Sequence, residues 1–84
     1  MSADQITKQI TEFIKTTFLA GDPQNELRDT TPLLEWGVLN SLNTVRLVTF
    51  IRTELGVKLP PLEITGGNFK DVASITNTIK ANRG

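Results

Sequence analysis

Gly37-Val38-Leu39-Asn40-Ser41-Leu42-Asn43-Thr44-Val45-Arg46-Leu47 is the stretch on which the fold of this chain turns. Gly37 closes an irregular run, and Asn40 and Ser41 are both of the residue types that cap helix N-termini. From Ser41 to Leu55 no Gly or Pro interrupts the chain. Val45, Val48, Ile51 and Leu55, with Leu47, predict a broad apolar face of the kind a central bundle helix carries, while Leu42, Arg46, Thr49, Phe50 and Thr53 gather on the opposite side. The consequence is a long helix with Ser41 at its start.

On the N-terminal side, Ile6, Ile10, Phe13, Ile14 and Thr17 recur at helical spacing, with Lys8, Gln9, Glu12, Lys15 and Thr16 on the other face. Ser2 with Gln5 forms a capping-box pattern, so a first helix is expected from about Ala3 to the turn signal Gly21-Asp22-Pro23. Between Gly21 and Asn40 neither helical nor strand period holds. So long an irregular connection is uncommon in a small domain and points either to function or to a misassigned element. Leu27, Leu33 and Leu34 are expected to pin it to the core, and Trp36 to plug the packing, contact with a partner being its other reading.

Beyond the second helix, Gly56 is a natural C-cap and Pro60-Pro61 bars a helix, leaving room for one turn over Pro61 to Thr65. A last helix is expected from Asn68 as N-cap, with Asp71 in its first turn, through Val72, Ile75 and Ile79 to a frayed Asn82-Arg83-Gly84. The expected fold is all-α: a four-helix bundle with three main helices, one short helix and a long first loop, all in one domain spanning residues 1–84.

Composition narrows the function. The 84 residues are 38% hydrophobic and 21% charged, ordinary for a folded domain and enough for one core. Nine basic and nine acidic residues leave no net charge, so the basic field that nucleic acid or an anionic membrane requires is missing. No apolar run approaches the roughly 20 residues of a membrane span, and the cytoplasm and a monomeric state are the default expectations. Without Cys or His the chain has no thiolate, no imidazole base and none of the usual zinc ligands, which argues against independent catalysis and a metal centre.

The quoted stretch resembles the phosphopantetheine attachment site of acyl and peptidyl carrier proteins, in which Gly, a few residues, Asp-Ser-Leu and an amphipathic helix follow in that order. Leu59-Pro60 sits where the family has Ile-Pro or Leu-Pro, and Asn68-Phe69 followed by Val72 and Ile75 resembles the opening of its last helix, so the likeness extends over nearly the whole chain. Ser41 alone is weak, since serine is a common cap; the constellation makes it specific. The resemblance implies a non-catalytic carrier of the stand-alone type. A phosphopantetheinyl transferase would attach 4'-phosphopantetheine from coenzyme A to Ser41, an adenylating or acyl-transferring enzyme would load an acyl or aminoacyl group as a thioester, and downstream biosynthetic enzymes would receive it. Partner contacts are expected at Val38, Leu39, Asn40, Leu42, Asn43, Val45, Arg46 and Phe50.

Departures from the family pattern refine this expectation. Asn40 stands where the family nearly always has Asp, and Asn43 and Arg46 replace two further acids that serve fatty-acid carriers as docking charges for basic enzyme surfaces. A dedicated natural-product pathway of nonribosomal peptide or polyketide type therefore fits better than fatty-acid synthesis. The alternative is an unmodified helical protein–protein interaction module in which Ser41 is only a cap. A serine hydrolase with a lysine base has no supporting motif.

Overall fold

The computed structural model describes residues 3–22 and 26–82. Three α-helices and one 3₁₀ turn follow in order: α1 (Ala3–Phe18), α2 (Ser41–Glu54), the 3₁₀ turn Pro61–Glu63, and α3 (Val72–Asn82). The all-α fold class, with three main helices and one short one, is as expected, and no strand occurs among the described residues. Ser2, Pro23 and the Arg83-Gly84 end, which entered the expected caps, turn and frayed terminus, lie outside the described residues.

α1 forms because Ile6, Ile10 and Ile14 repeat every four residues, and all three are fully buried. It packs chiefly against α3 and less extensively against α2, so α1, not α2, is the wall that the other helices share. Thr7 and the buried Thr76 exchange a hydroxyl hydrogen bond of 3.0 Å, which satisfies both at the α1–α3 seam. Thr17, expected on the inner face, is exposed. Beyond α1 the chain turns through positive φ at Ala20, Gly21 and Asp22.

α2 buries a narrower stripe than its composition predicts. Leu47 and Ile51 are fully buried, Leu55 follows at the cap, and Val48 packs at the edge. At about 100° per residue, Val45 and Phe50 lie on opposite shoulders of this stripe. Phe50 is covered by the Phe13 ring of α1, stacked at 4.3 Å, whereas Val45 is 62% exposed, contrary to the core position expected of it. Gly56, at φ +69°, then reverses the chain so that the Val57 N–H returns to the Ile51 carbonyl.

The long loop between α1 and α2 is fastened by its own backbone. Asp22 accepts hydrogen bonds from the N–H groups of Glu26 and Leu27, both at 3.0 Å, and the Thr31 hydroxyl accepts one from Arg28 N–H at 2.7 Å. Leu33 N–H donates to the Lys70 carbonyl and Ala73 N–H to the Asp29 carbonyl, which ties the loop to the entrance of α3. Leu27 and Leu33 are buried as expected, but Leu34 is 42% exposed and Trp36 57% exposed, so neither is the core pin or plug anticipated. Trp36 sits on a turn in which its own N–H reaches Pro32 and Gly37 N–H reaches Leu34, and that turn carries the indole outward.

The entrance to α3 also differs from the expectation. Asp71, not Asn68, is the N-cap: its carboxylate accepts from Ser74 N–H at 2.8 Å and its carbonyl from Ile75 N–H. Asn68 instead donates its side-chain amide to the Glu63 carbonyl at 2.8 Å and to the Glu63 carboxylate at 3.0 Å, holding the segment after the 3₁₀ turn.

The two backbone N–H groups on Asp22 hold its carboxyl below its ordinary pKa. A group depressed in the folded state contributes stability above its unfolded pKa and loses it as pH falls through the folded value. Asp22→Asn keeps a residue tolerant of positive φ but removes the charge. The variant is expected to melt below wild type at neutral pH, and the gap should close through the acid range; a gap independent of pH would show that the charge plays no part.

Candidate functional site

The site is built around the start of α2. Asn40, in extended backbone at φ −136° and ψ −171°, is the N-cap: its carboxamide oxygen accepts from Asn43 N–H at 2.8 Å and its carbonyl from Thr44 N–H at 2.8 Å. Capping is thus done by Asn40, which leaves Ser41 as the first helical residue, exposed and with its hydroxyl not needed as a cap. A helix start also presents N–H groups without intrahelical partners and the positive end of the macrodipole, an environment suited to an anion.

Ser41 opens on a groove of about 500 Å³. Leu34, Val45, Ile64 and Phe69 supply apolar wall, and Thr44 and Thr65 add hydroxyls. The far wall is held by Asn68, whose N–H reaches the Thr65 hydroxyl at 3.2 Å, and by Phe69 N–H on the Thr65 carbonyl at 3.0 Å. None of the residues lining the groove is ionisable, and the chain contains no His or Cys. The Ser41 hydroxyl therefore has no general base among the residues that line its groove.

The residues expected to meet partners divide into three groups. Asn40, Leu42, Val45 and Arg46 are exposed around Ser41. Asn43 and Phe50 are half-buried, Phe50 beneath Phe13 and Asn43 with its side-chain amide on the Val38 carbonyl at 2.9 Å. Val38 and Leu39 belong to the core, at 8% and 2% exposure, because both their N–H groups return to the Leu33 carbonyl and turn the side chains inward; the expectation that these two side chains face partners is corrected.

Leu34 on the loop and Leu62, 90% exposed, on the 3₁₀ turn are exposed apolar side chains that were not among the expected residues, and Trp36 is exposed as its other reading, partner contact, requires. Leu34 lines the groove itself, with its Cδ1 lying 3.5 Å from where a Cβ on Gly66 would stand. Their sequence signal was weak but present. Trp36 lies between Glu35 and Gly37, and Leu62 between Pro61 and Glu63, outside any apolar period.

Substitution at the cap separates hydrogen bonding from charge. Asn40→Ala is expected to lower stability by about 1 kcal/mol, and Asn40→Asp to leave it within about 0.5 kcal/mol, because aspartate caps as well as asparagine. Urea denaturation of the three proteins measures both differences. Equal midpoints for the alanine variant and wild type would remove the cap from the account.

Comparison with known proteins agrees with this geometry. The family model described as the phosphopantetheine attachment site matches residues 9–78. No curated protein matches the chain significantly. Among solved structures, a chain from a crystal structure described as that of an FAD-dependent dehydrogenase is similar, at 38% identity and a TM-score of 0.75, over 82% of this chain and 96% of that one. With an exposed serine opening the second helix and the family model spanning most of its length, the chain belongs to the phosphopantetheine attachment-site family and is a carrier of covalent 4'-phosphopantetheine.

Proposed function

We propose that Ser41 is the attachment point and that the protein, itself non-catalytic, holds an acyl or aminoacyl intermediate as a thioester and shuttles it between separate biosynthetic enzymes. The observation that carries this reading is that Ser41 is exposed at the first residue of α2 while Asn40 does the capping. A hydroxyl that is neither capping nor activated, at the mouth of an open groove, suits an acceptor of modification better than a nucleophile acting alone.

The residues present fit the group. A phosphodiester on Ser41 would lie at the helix N-terminus, which favours an anion by about 0.3 to 1 kcal/mol. Leu34 and Val45 offer apolar contact beside it, and Thr44 and Thr65 offer hydroxyls. The cofactor supplies the thiol that the Cys-free chain lacks.

Partner enzymes, a phosphopantetheinyl transferase and a loading enzyme first, are proposed to approach over Leu42, Val45 and Arg46, with Leu34 and Trp36 completing the apolar surround. The first turn of α2 contains no acid. A basic docking surface of the fatty-acid type would meet Arg46 as a like charge, which supports a dedicated natural-product pathway instead.

Incubation with coenzyme A, magnesium and a broad-specificity transferase, followed by intact-mass measurement, tests the attachment point. Wild type is expected to gain one phosphopantetheine and Ser41→Ala none. A gain retained by the variant would move the site, and no gain in wild type would leave an unmodified interaction module as the better reading.

The similar chain from the dehydrogenase crystal structure supports a more specific partner class. We infer that a downstream enzyme is an FAD-dependent dehydrogenase, which removes two hydrogens from the carried group and passes two electrons to its own FAD. A loaded carrier mixed with such an enzyme should lose the mass of two hydrogens from its cargo as the flavin absorbance bleaches. Unchanged cargo mass with oxidised flavin would exclude that partner and leave the carrier assignment intact.

A further inference from the structure

Asn43 was expected on the docking surface, but its contacts are internal. Its backbone N–H is held by the Asn40 carboxamide at 2.8 Å and its side-chain amide donates to the Val38 carbonyl at 2.9 Å. Val38 is itself fixed, since its N–H and that of Leu39 both reach the Leu33 carbonyl, at 2.9 and 3.1 Å, and Leu33 N–H reaches Lys70. A continuous set of hydrogen bonds therefore runs from the first turn of α2, through the two residues before Asn40, to the entrance of α3.

We propose that Asn43 is a positioning residue for the modification of Ser41, clamping the Val38 carbonyl so that the loop and the start of α2 present the serine in one arrangement. The inference rests on Ser41 being the attachment point. The chemistry of the clamp requires a donor: an ionised carboxylate in this position has only acceptor oxygens and would face the Val38 carbonyl with none. Asn40 and Asn43 accordingly act as a complementary pair, one accepting and one donating. Replacing Asn43 by an acid would alter loop geometry as well as charge.

Three variants separate clamp from charge: Asn43→Ala removes the donor, Asn43→Asp removes it and adds charge, and Asn43→Gln keeps it. The probe is a broad-specificity phosphopantetheinyl transferase with coenzyme A and magnesium, with KM and kcat for the carrier measured at low and high salt. Loss of one hydrogen bond that holds the competent arrangement is expected to raise KM about tenfold in both the alanine and aspartate variants, with kcat unchanged and at both salt concentrations. The glutamine variant should recover most of the difference. Amide exchange should accelerate at Val38 and Leu39 in the alanine and aspartate variants while the amides of α1 and α3 keep their protection. The proposal is overturned if Asn43→Ala matches wild type in KM and in exchange, or if only Asn43→Asp is impaired and salt abolishes the effect, which would make the position a docking charge. Should wild type take no phosphopantetheine, the Ser41 assignment fails, and amide exchange alone still decides the clamp.

Discussion

The backbone hydrogen bonds from Leu33 N–H to the Lys70 carbonyl and from Ala73 N–H to the Asp29 carbonyl join the long loop to the entrance of α3, and the site depends on that junction. Buried peptide groups need partners, and a loop with neither helix nor sheet must find them elsewhere in the fold. Here the loop donates one hydrogen bond to the segment before α3 and accepts one from its first turn. Leu27, Leu33, Val38 and Leu39 then fill the space beneath, so a segment without regular structure is built into the core. Ser41 inherits its position from this arrangement.

The same junction explains how a small helical protein keeps an apolar groove open. α2 is held mainly by a narrow stripe of Leu47, Ile51 and Leu55, and its two shoulders are treated differently. The Phe13 ring of α1 covers Phe50 on one side. On the other, Val45 meets Leu34, Ile64 and Phe69 across the groove, where the segment after the 3₁₀ turn is held by Asn68. The wall on the α2 side is thus set by core packing, and the far wall is fastened by the hydrogen bonds of Asn68 and Phe69.

Much of the fold could be read from residue spacing. The repeat of Ile6, Ile10 and Ile14 identified the inner face of α1, and the uninterrupted run from Ser41 identified α2 with its start. Residue type left Asn40 and Ser41 both open as the cap, and the structure gives that role to Asn40. Other positions misled for identifiable reasons. Val45 has the composition of a core residue, but the strand of chain beside it does not close over it. Asn68 is a good cap by type, yet Asp71 lies one residue before the helix and Asn68 is used to hold Glu63. Trp36 has the bulk of a core plug, but the turn closed by its N–H on Pro32 carries it outward.

The sequence by itself determined three helices, their order, the serine at the start of the second and a chain without Cys or His, because helical period, capping chemistry and side-chain inventory are local properties. Only the tertiary structure decided that Val38 and Leu39 point inward while Leu34 and Trp36 point out, that Asn43 serves the loop, and that Ser41 opens on a groove. Those outcomes depend on where the aperiodic loop meets α3 and on which backbone groups it satisfies there, and contacts between residues so far apart in the chain leave no repeating pattern to read.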